Sequence, residues 1–165
     1  TMILIGIGAN LEHPRFGSPR DTCEAALAAL EEREVTVLAR SRWYCSAPVP
    51  PSDQPWYVNA VASLDSDLGP GALLAALHTV EEDFGRVRHA RNAPRVLDLD
   101  LLAYGRAVSA PGEIPVLPHP RIAERAFVVL PLAELVPDWR HPVTGVSAAE
   151  LAERLSPASG ISCIE

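Results

Sequence analysis

Apolar and polar positions along the chain change period several times, and each change marks an element. Residues 2–8, MILIGIG, are a short apolar run closed by glycine, the pattern of a buried strand. Asn10 to Pro19 reads as a loop, after which Ser18 or Asp21 is placed to cap a helix running to about Arg33, with Ala25, Leu27, Ala28 and Leu30 among its apolar positions. Residues 35–45, VTVLARSRWYC, alternate as a second strand with Val35, Val37 and Ala39 on one face, and a proline-rich loop, SAPVPPSDQP, fills 46–55. A third strand is expected over 56–65, WYVNAVASLD. The Gly69-Pro-Gly turn then opens a helix from about 71 to 84 that turns Leu73, Leu74, Leu77 and Val80 inward and stops at Gly85. A fourth strand carries the leucine-rich LDLDL of residues 97–101.

The order β-α-β-β-α-β predicts an α+β fold with a ferredoxin-like core: an antiparallel sheet with helices over one face and the other face free for a ligand. Beyond Gly105 the pattern is broken by Pro111, Pro115, Pro118 and Pro120, and helical stretches near 121–135 and 147–155 add C-terminal helices. The chain shows no internal repeat and no low-complexity linker. A single domain over residues 1–165 is expected, since a chain of this size buries about two-thirds of the surface it exposes when unfolded.

Charge narrows the partners. The net charge is −7, which argues against nucleic acid as a partner, yet Arg86, Arg88, Arg91 and Arg95 fall within ten residues. A local anion site fits this better than a basic face. The cysteines, Cys23, Cys45 and Cys163, have neither a C-x-x-C nor a zinc-finger spacing and read as free thiols, buried or inert. No apolar run reaches the about eighteen residues of a membrane span, and the first residues lack the charged-then-apolar order of a signal peptide. A cytoplasmic monomer with no membrane partner is expected.

The candidate chemistry lies in residues 86–101, RVRHARNAPRVLDLDL. In a strand, Asp98 and Asp100 project to one face while Leu97, Leu99 and Leu101 project to the other, so the leucines can be buried with the carboxylates facing a cleft. Two carboxylates one strand repeat apart can share or divide divalent cations, and a donor set of oxygen alone favours Mg²⁺ over zinc. Arginine forks fit phosphate oxygens two at a time. An Asp-x-Asp pair is also common on a solvated sheet face, and arginines near aspartates are most often surface ion pairs, so the strand alone leaves a structural reading open. A second constellation, PHPRIAERAF at 118–127, groups His119, Arg121, Arg125 and Phe127. His119 sits between two prolines that restrict its backbone, in a form suited either to a ligand or to a solvated turn.

Taken together, IGIGANL at 5–11, DQPWYVNA at 53–60, GRVR at 85–88, RNAPRVLDLDLLAYG at 91–105 and PHPRIAERAFVVLPLAEL at 118–135 resemble the 6-hydroxymethyl-7,8-dihydropterin pyrophosphokinases of folate biosynthesis. The segments occur in family order over nearly the whole chain. The resemblance implies transfer of the β,γ-diphosphate of ATP to the hydroxymethyl oxygen of 6-hydroxymethyl-7,8-dihydropterin, releasing AMP. It also implies two Mg²⁺ ions on Asp98 and Asp100. Arg86 and Arg95 join the two aspartates as the catalytic set, and Arg86, Arg88, Arg91, Arg95, His119, Arg125 and His78 match ATP-contacting positions. Pterin contacts map to Tyr57, Asn59, Phe127, Asn92 and the loop residues Ser46, Ala47 and Val49, while Glu81 matches a position beside the active site. This chain departs from some members in carrying Asn92 for a tryptophan, His78 for a glutamine and His89 for a lysine, and in a loop from 85 to 95 that is one residue shorter.

Two other readings account for part of the pattern. Another metal-dependent phosphoryl or nucleotidyl transferase would use the acidic strand but not residues 119–127. A non-catalytic ferredoxin-like binding module would need neither aligned aspartates nor the arginines. An RNA-binding sheet of this topology is disfavoured by the acidic charge and by the lack of an aromatic, basic strand.

Overall fold

The computed structural model describes residues 1–48, 50–85 and 96–165. The elements are β1 (Ile3–Ala9), α1 (Pro19–Glu31), β2 (Val35–Arg40), β3 (Tyr44–Ser46), β4 (Tyr57–Ser66), α2 (Pro70–Asp83), β5 (Asp98–Tyr104), α3 (Ala126–Leu135), α4 (Ala148–Arg154) and β6 (Ile161–Cys163). One antiparallel sheet runs in the order β5-β1-β4-β3-β6, with β2 also on β4. Because β2 and β3 share one edge of β4, this is the ferredoxin-like order with its second strand broken in two.

Ser18 rather than Asp21 caps α1, its hydroxyl accepting from Asp21 N–H, and Pro19 occupies the first turn, where its missing donor costs nothing. Gly85, at φ 93°, lets the chain leave the end of α2. The face of the sheet under α1 and α2 buries Ile3, Ile5, Ile7, Ala60, Ala62, Leu64, Leu97, Leu99 and Leu101 against Leu27, Leu30, Leu73, Leu77 and Val80. A cluster of His13, Phe16 and Phe84 ties the loop after β1 to the end of α2: Phe16 and Phe84 stack at 4.6 Å, and the His13 Nε2 lies 3.1 Å from the Phe84 carbonyl.

The second strand departs from the expected single run over 35–45. Ser41 interrupts it by bonding to β4 through its own side chain, its hydroxyl accepting from Val61 N–H at 3.0 Å and donating to the Arg42 carbonyl at 2.8 Å. Trp43 can then turn fully into the core beneath the Arg40 guanidinium, 4.6 Å from its ring centre. A register shift between Val37 and Ala39 leaves Ala39 exposed instead of inward. The short β6 had no apolar pattern to announce it. Cys23 is buried, which pushes its thiol far up, with the charges of Asp98 and Glu24 adding to the effect. All three cysteines are free, as expected; Cys45 is half-buried and Cys163 exposed.

The other face is not left bare. Leu4, Val61, Leu102 and Ala103 lie beneath Ile122, Val128, Leu132 and Ala148, so α3 and α4 cover half of it. The helix expected from 121 begins only at Ala126, because residues 119–124 form turns. A polar clamp fastens α3 to the sheet. Tyr44 O–H donates to Glu134 Oε1 at 2.6 Å, Arg42 N–H to Oε2 at 2.6 Å, and Arg42 Nε to Oε1 at 3.0 Å. Burial raises the Glu134 pKa, but the donors and the Arg42 charge outweigh it, and the carboxyl ends below its usual value. Tyr44 is pushed up to about 12 by burial and by its bond to the carboxylate. A carboxyl depressed in the folded state stabilises it above the unfolded pKa, and that contribution is lost as pH falls through the folded value. Urea midpoints should therefore drop more steeply below pH about 4.5 in the wild type than in Glu134→Gln, whose neutral-pH stability is lower from the start. Parallel pH profiles would contradict the clamp.

Candidate active site

The uncovered half of the second face is built by register. On β1 the isoleucines take the core face, so Gly6 and Gly8 take the other. Cross-strand pairing sets Asp98 opposite Gly8 and Asp100 opposite Gly6 on one side, with Asn59 opposite Gly8 and Val61 opposite Gly6 on the other. The two carboxylates thus flank the glycines of β1, over which neighbouring side chains lean: Leu102 lies against Gly6 and the Asn59 carboxamide over Gly8. A Cβ at Gly8 would fall 2.8 Å from Asn59 Oδ1 and 3.3 Å from the Val58 carbonyl, so only glycine fits beneath the Asn59 carboxamide. That carboxamide is buried and held by Ser46, its Nδ2 donating to Ser46 Oγ at 2.6 Å. Tyr57 pairs with Ser46 in the same ladder, and Ala47 N–H donates to the Gly160 carbonyl, which fixes the start of the 46–55 loop.

Asp98 and Asp100 are half-buried while Leu97, Leu99 and Leu101 are buried, as alternation requires. β5 is the edge of the sheet. On its outer side Glu81, buried on α2, accepts from Leu99 N–H at 2.7 Å, and His119 N–H donates to the Leu102 carbonyl at 2.9 Å. A cleft of about 300 Å³ opens along this edge, lined by Leu74, His78, Glu81, Leu99, Asp100 and Leu101 on one side and by Ile114, Pro115, Val116, His119 and Pro120 on the other. Its walls are mostly aliphatic, and its polar groups gather towards Asp100 and His119.

Arg121 N–H donates to His119 Nδ1 at 3.1 Å, so the neutral ring carries its proton on Nε2. Burial lowers the His119 pKa; Arg125 and Arg121 lower it further, and Asp98 only partly opposes them. His119 is therefore a neutral N–H donor at physiological pH. Arg125, at the start of α3, lies over the Phe127 ring at 5.5 Å, and Phe127 packs against the second core cluster.

The structure thus gathers Asp100, His78, Glu81 and His119 around one cleft, with Asp98 and Arg125 in the electrostatic reach of His119. Ser46, Tyr57 and Asn59 sit together on β3 and β4. Val49, Arg86, Arg88, His89, Arg91, Asn92 and Arg95 lie outside the described residues. Sequence reasoning missed the glycine floor, although alternating glycines in a strand are a known sign of close approach. It also missed Ile114, Pro115 and Val116, which sit in a proline-broken stretch with no readable period.

An antiparallel α+β sheet with paired carboxylates beside a cleft places the chain among the phosphoryl-transfer enzymes in class, and comparison with known proteins names the family. The chain belongs to the 7,8-dihydro-6-hydroxymethylpterin-pyrophosphokinase (HPPK) family, whose model matches residues 4–137. It is 43% identical over 141 residues to a 2-amino-4-hydroxy-6-hydroxymethyldihydropteridine pyrophosphokinase of Pseudomonas aeruginosa, spanning 85% of this chain and 83% of that one. To the protein so named in Methylorubrum extorquens it is 38% identical over 170 residues, spanning 100% of this chain and 99% of that one. Among solved structures, Plasmodium falciparum HPPK-DHPS superposes with a TM-score of 0.67 at 11% identity, over 93% of this chain and 43% of that one, a likeness of fold.

Long-range ¹H–¹⁵N spectra at pH 7 should show His119 as the neutral Nε2–H tautomer, titrating below its ordinary 6.5. A midpoint above that value would contradict the arrangement of charges around it.

Proposed function

We propose that the cleft along β5 and the glycine floor beside it are where this chain carries out the reaction of its family, pyrophosphoryl transfer from ATP to hydroxymethyldihydropterin in folate biosynthesis. The observation that carries this reading is the placement of Asp98 and Asp100 beside the glycines of β1, at the junction of an aliphatic cleft and a polar, amide-lined wall.

The donor set suits Mg²⁺. Two half-exposed carboxylates supply only oxygen, the ligand type that Mg²⁺ takes together with waters and phosphate oxygens. Asp98 and Asp100 would hold two such ions, which, when bound, neutralise phosphate charge and polarise the transferred group. The aliphatic cleft takes the nucleotide base, and His119 offers its Nε2–H to a phosphate oxygen without the pH dependence of a charged imidazolium. Arg125 adds a fixed positive charge beside it. Asn59, oriented by Ser46, reads the amide edge of the pterin, with Phe127 and Tyr57 providing apolar surface.

The hydroxymethyl oxygen then forms a bond to the β-phosphorus as the bridge to the α-phosphate breaks, and AMP leaves. Such a reaction depends more on in-line positioning and charge than on a strong base. Arg86, Arg88, Arg91 and Arg95 are assigned to that charge by residue type and by family order, with Arg86 and Arg95 taken as members of the catalytic set on the same ground. Ala47, Val49 and Asn92 complete the pterin side on the same ground, and His78 the nucleotide side.

AMP should form from ATP and Mg²⁺ only when the pterin is present. Asp98→Ala and Asp100→Ala should each lower the rate by about a hundredfold or more with an unchanged melting temperature. ADP as product, or near wild-type turnover in both variants, would refute the reading. Gly8→Ala should push the Asn59 carboxamide aside and raise the KM for the pterin by about tenfold. An equal rise in the KM for ATP would show that the floor serves both substrates and not the pterin alone.

A further inference from the structure

The outer wall of the cleft is unusual in being attached so lightly. Ile114 is 77% exposed and Val116 55%, yet both line the cleft, and both sit in a loop that leaves the sheet after Gly105 and returns at His119. Two side chains bond within that loop: Glu113 Oε1 accepts from Ala110 N–H at 3.3 Å, and Ser109 fixes the returning strand of the loop. Ser109 Oγ donates to the Pro115 carbonyl at 2.6 Å and accepts from Leu117 N–H at 2.7 Å, while Ser109 N–H donates to the Leu117 carbonyl at 2.8 Å. A hydroxyl has one proton and two lone pairs, so a single oxygen can fix both groups. These are the two peptide groups on either side of Val116.

Fixing those peptides has a directional result. In a trans peptide the C=O and the N–H point in opposite directions, and the Pro115–Val116 and Val116–Leu117 bonds are both trans. The Pro115 carbonyl points at Ser109, so Val116 N–H points away from it. Leu117 N–H points at Ser109, so the Val116 carbonyl also points away. Val116 lines the cleft and Ser109 does not, so the side of the loop turned away from Ser109 is the side that meets the cleft. A neighbouring donor and acceptor on one residue is the complement of a heteroaromatic edge that carries an acceptor ring nitrogen next to an amino donor. Adenine has that edge, and hypoxanthine has the reverse.

We infer that Ser109 is a positioning residue that sets the base preference of the nucleotide cleft, by locking the two peptides that aim the Val116 N–H and carbonyl at the base. The inference rests on the nucleotide reading of the cleft given above. It concerns selectivity and not the transfer step: Ser109 touches neither substrate, and its hydroxyl acts only through Val116. A site built to hydrogen-bond one edge rejects the reversed edge because its own donor and acceptor are then opposed.

The test is kcat/KM for ATP and for ITP, with Mg²⁺ and saturating 6-hydroxymethyl-7,8-dihydropterin, in the wild type, Ser109→Ala and Ser109→Thr. The wild type should prefer ATP. Ser109→Ala should lose about five- to tenfold of that preference, mainly through the KM for ATP, and Ser109→Thr, which keeps the hydroxyl, should retain it. The KM for the pterin and the melting temperature of the alanine variant should stay at wild-type values. An unchanged ATP-to-ITP ratio in Ser109→Ala would overturn the inference, as would a wild type that uses both nucleotides equally. A wild type that releases neither AMP from ATP nor IMP from ITP would overturn the nucleotide reading itself, a result distinct from a selectivity that fails to move.

Discussion

The structure depends on the alternation along β1. This strand lies between β5 and β4, and its seven residues present isoleucine to one face and glycine to the other for most of their length. The isoleucine side is the centre of the main core, with α1 and α2 laid over it. On the glycine side β1 adds no side chains of its own, and there the neighbouring strands place Asp98, Asp100 and Asn59 in register. Burial and function are therefore set by the same residues in opposite directions. A one-residue slip of β1 would bury the glycines and place isoleucine between the aspartates.

The rest of the second face is divided by closure. Where β1 offers Leu4 in place of glycine, α3 and α4 settle on the sheet, and Glu134 locks α3 to β3 through Tyr44 and Arg42. The open half then begins where the packed half ends, and Arg125 and Phe127 lie at the start of α3, on that boundary. This accounts for a site drawn from distant parts of the chain. The sheet supplies carboxylates and amide, the beginning of a C-terminal helix supplies charge and an aromatic ring, and the loop before it supplies His119.

Much of this was legible in the sequence where a period was present. Strands β1, β4 and β5 and helices α1 and α2 carry clear apolar repeats, and their ends fall within a residue or two of the expected positions, except that β5 runs on to Tyr104, three residues past the expected LDLDL. The Asp-x-Asp strand could be oriented because strand alternation leaves only two choices. The broken β2–β3 strand could not be foreseen, since Ser41 substitutes its hydroxyl for a ladder partner, which propensity does not register. The covered half of the second face was equally hidden: 121–135 reads as a helix, but which surface it meets is a matter of tertiary packing. The cleft wall at Ile114–Val116 was the least visible part. Its form comes from one serine bonding to two peptides six and eight residues away, in a segment whose prolines erase any period.

The edge strand β5 carries one more consequence. Sheet edges expose unpaired backbone groups and recruit foreign strands, and natural proteins blunt them. Here the outer side of β5 is interrupted at both ends, by the buried Glu81 carboxylate on Leu99 N–H and by His119 N–H on the Leu102 carbonyl. An invading strand would have to evict a buried carboxylate before it gained its first ladder bonds. An edge that lines a cleft is in this way also kept from serving as a template for fibre growth.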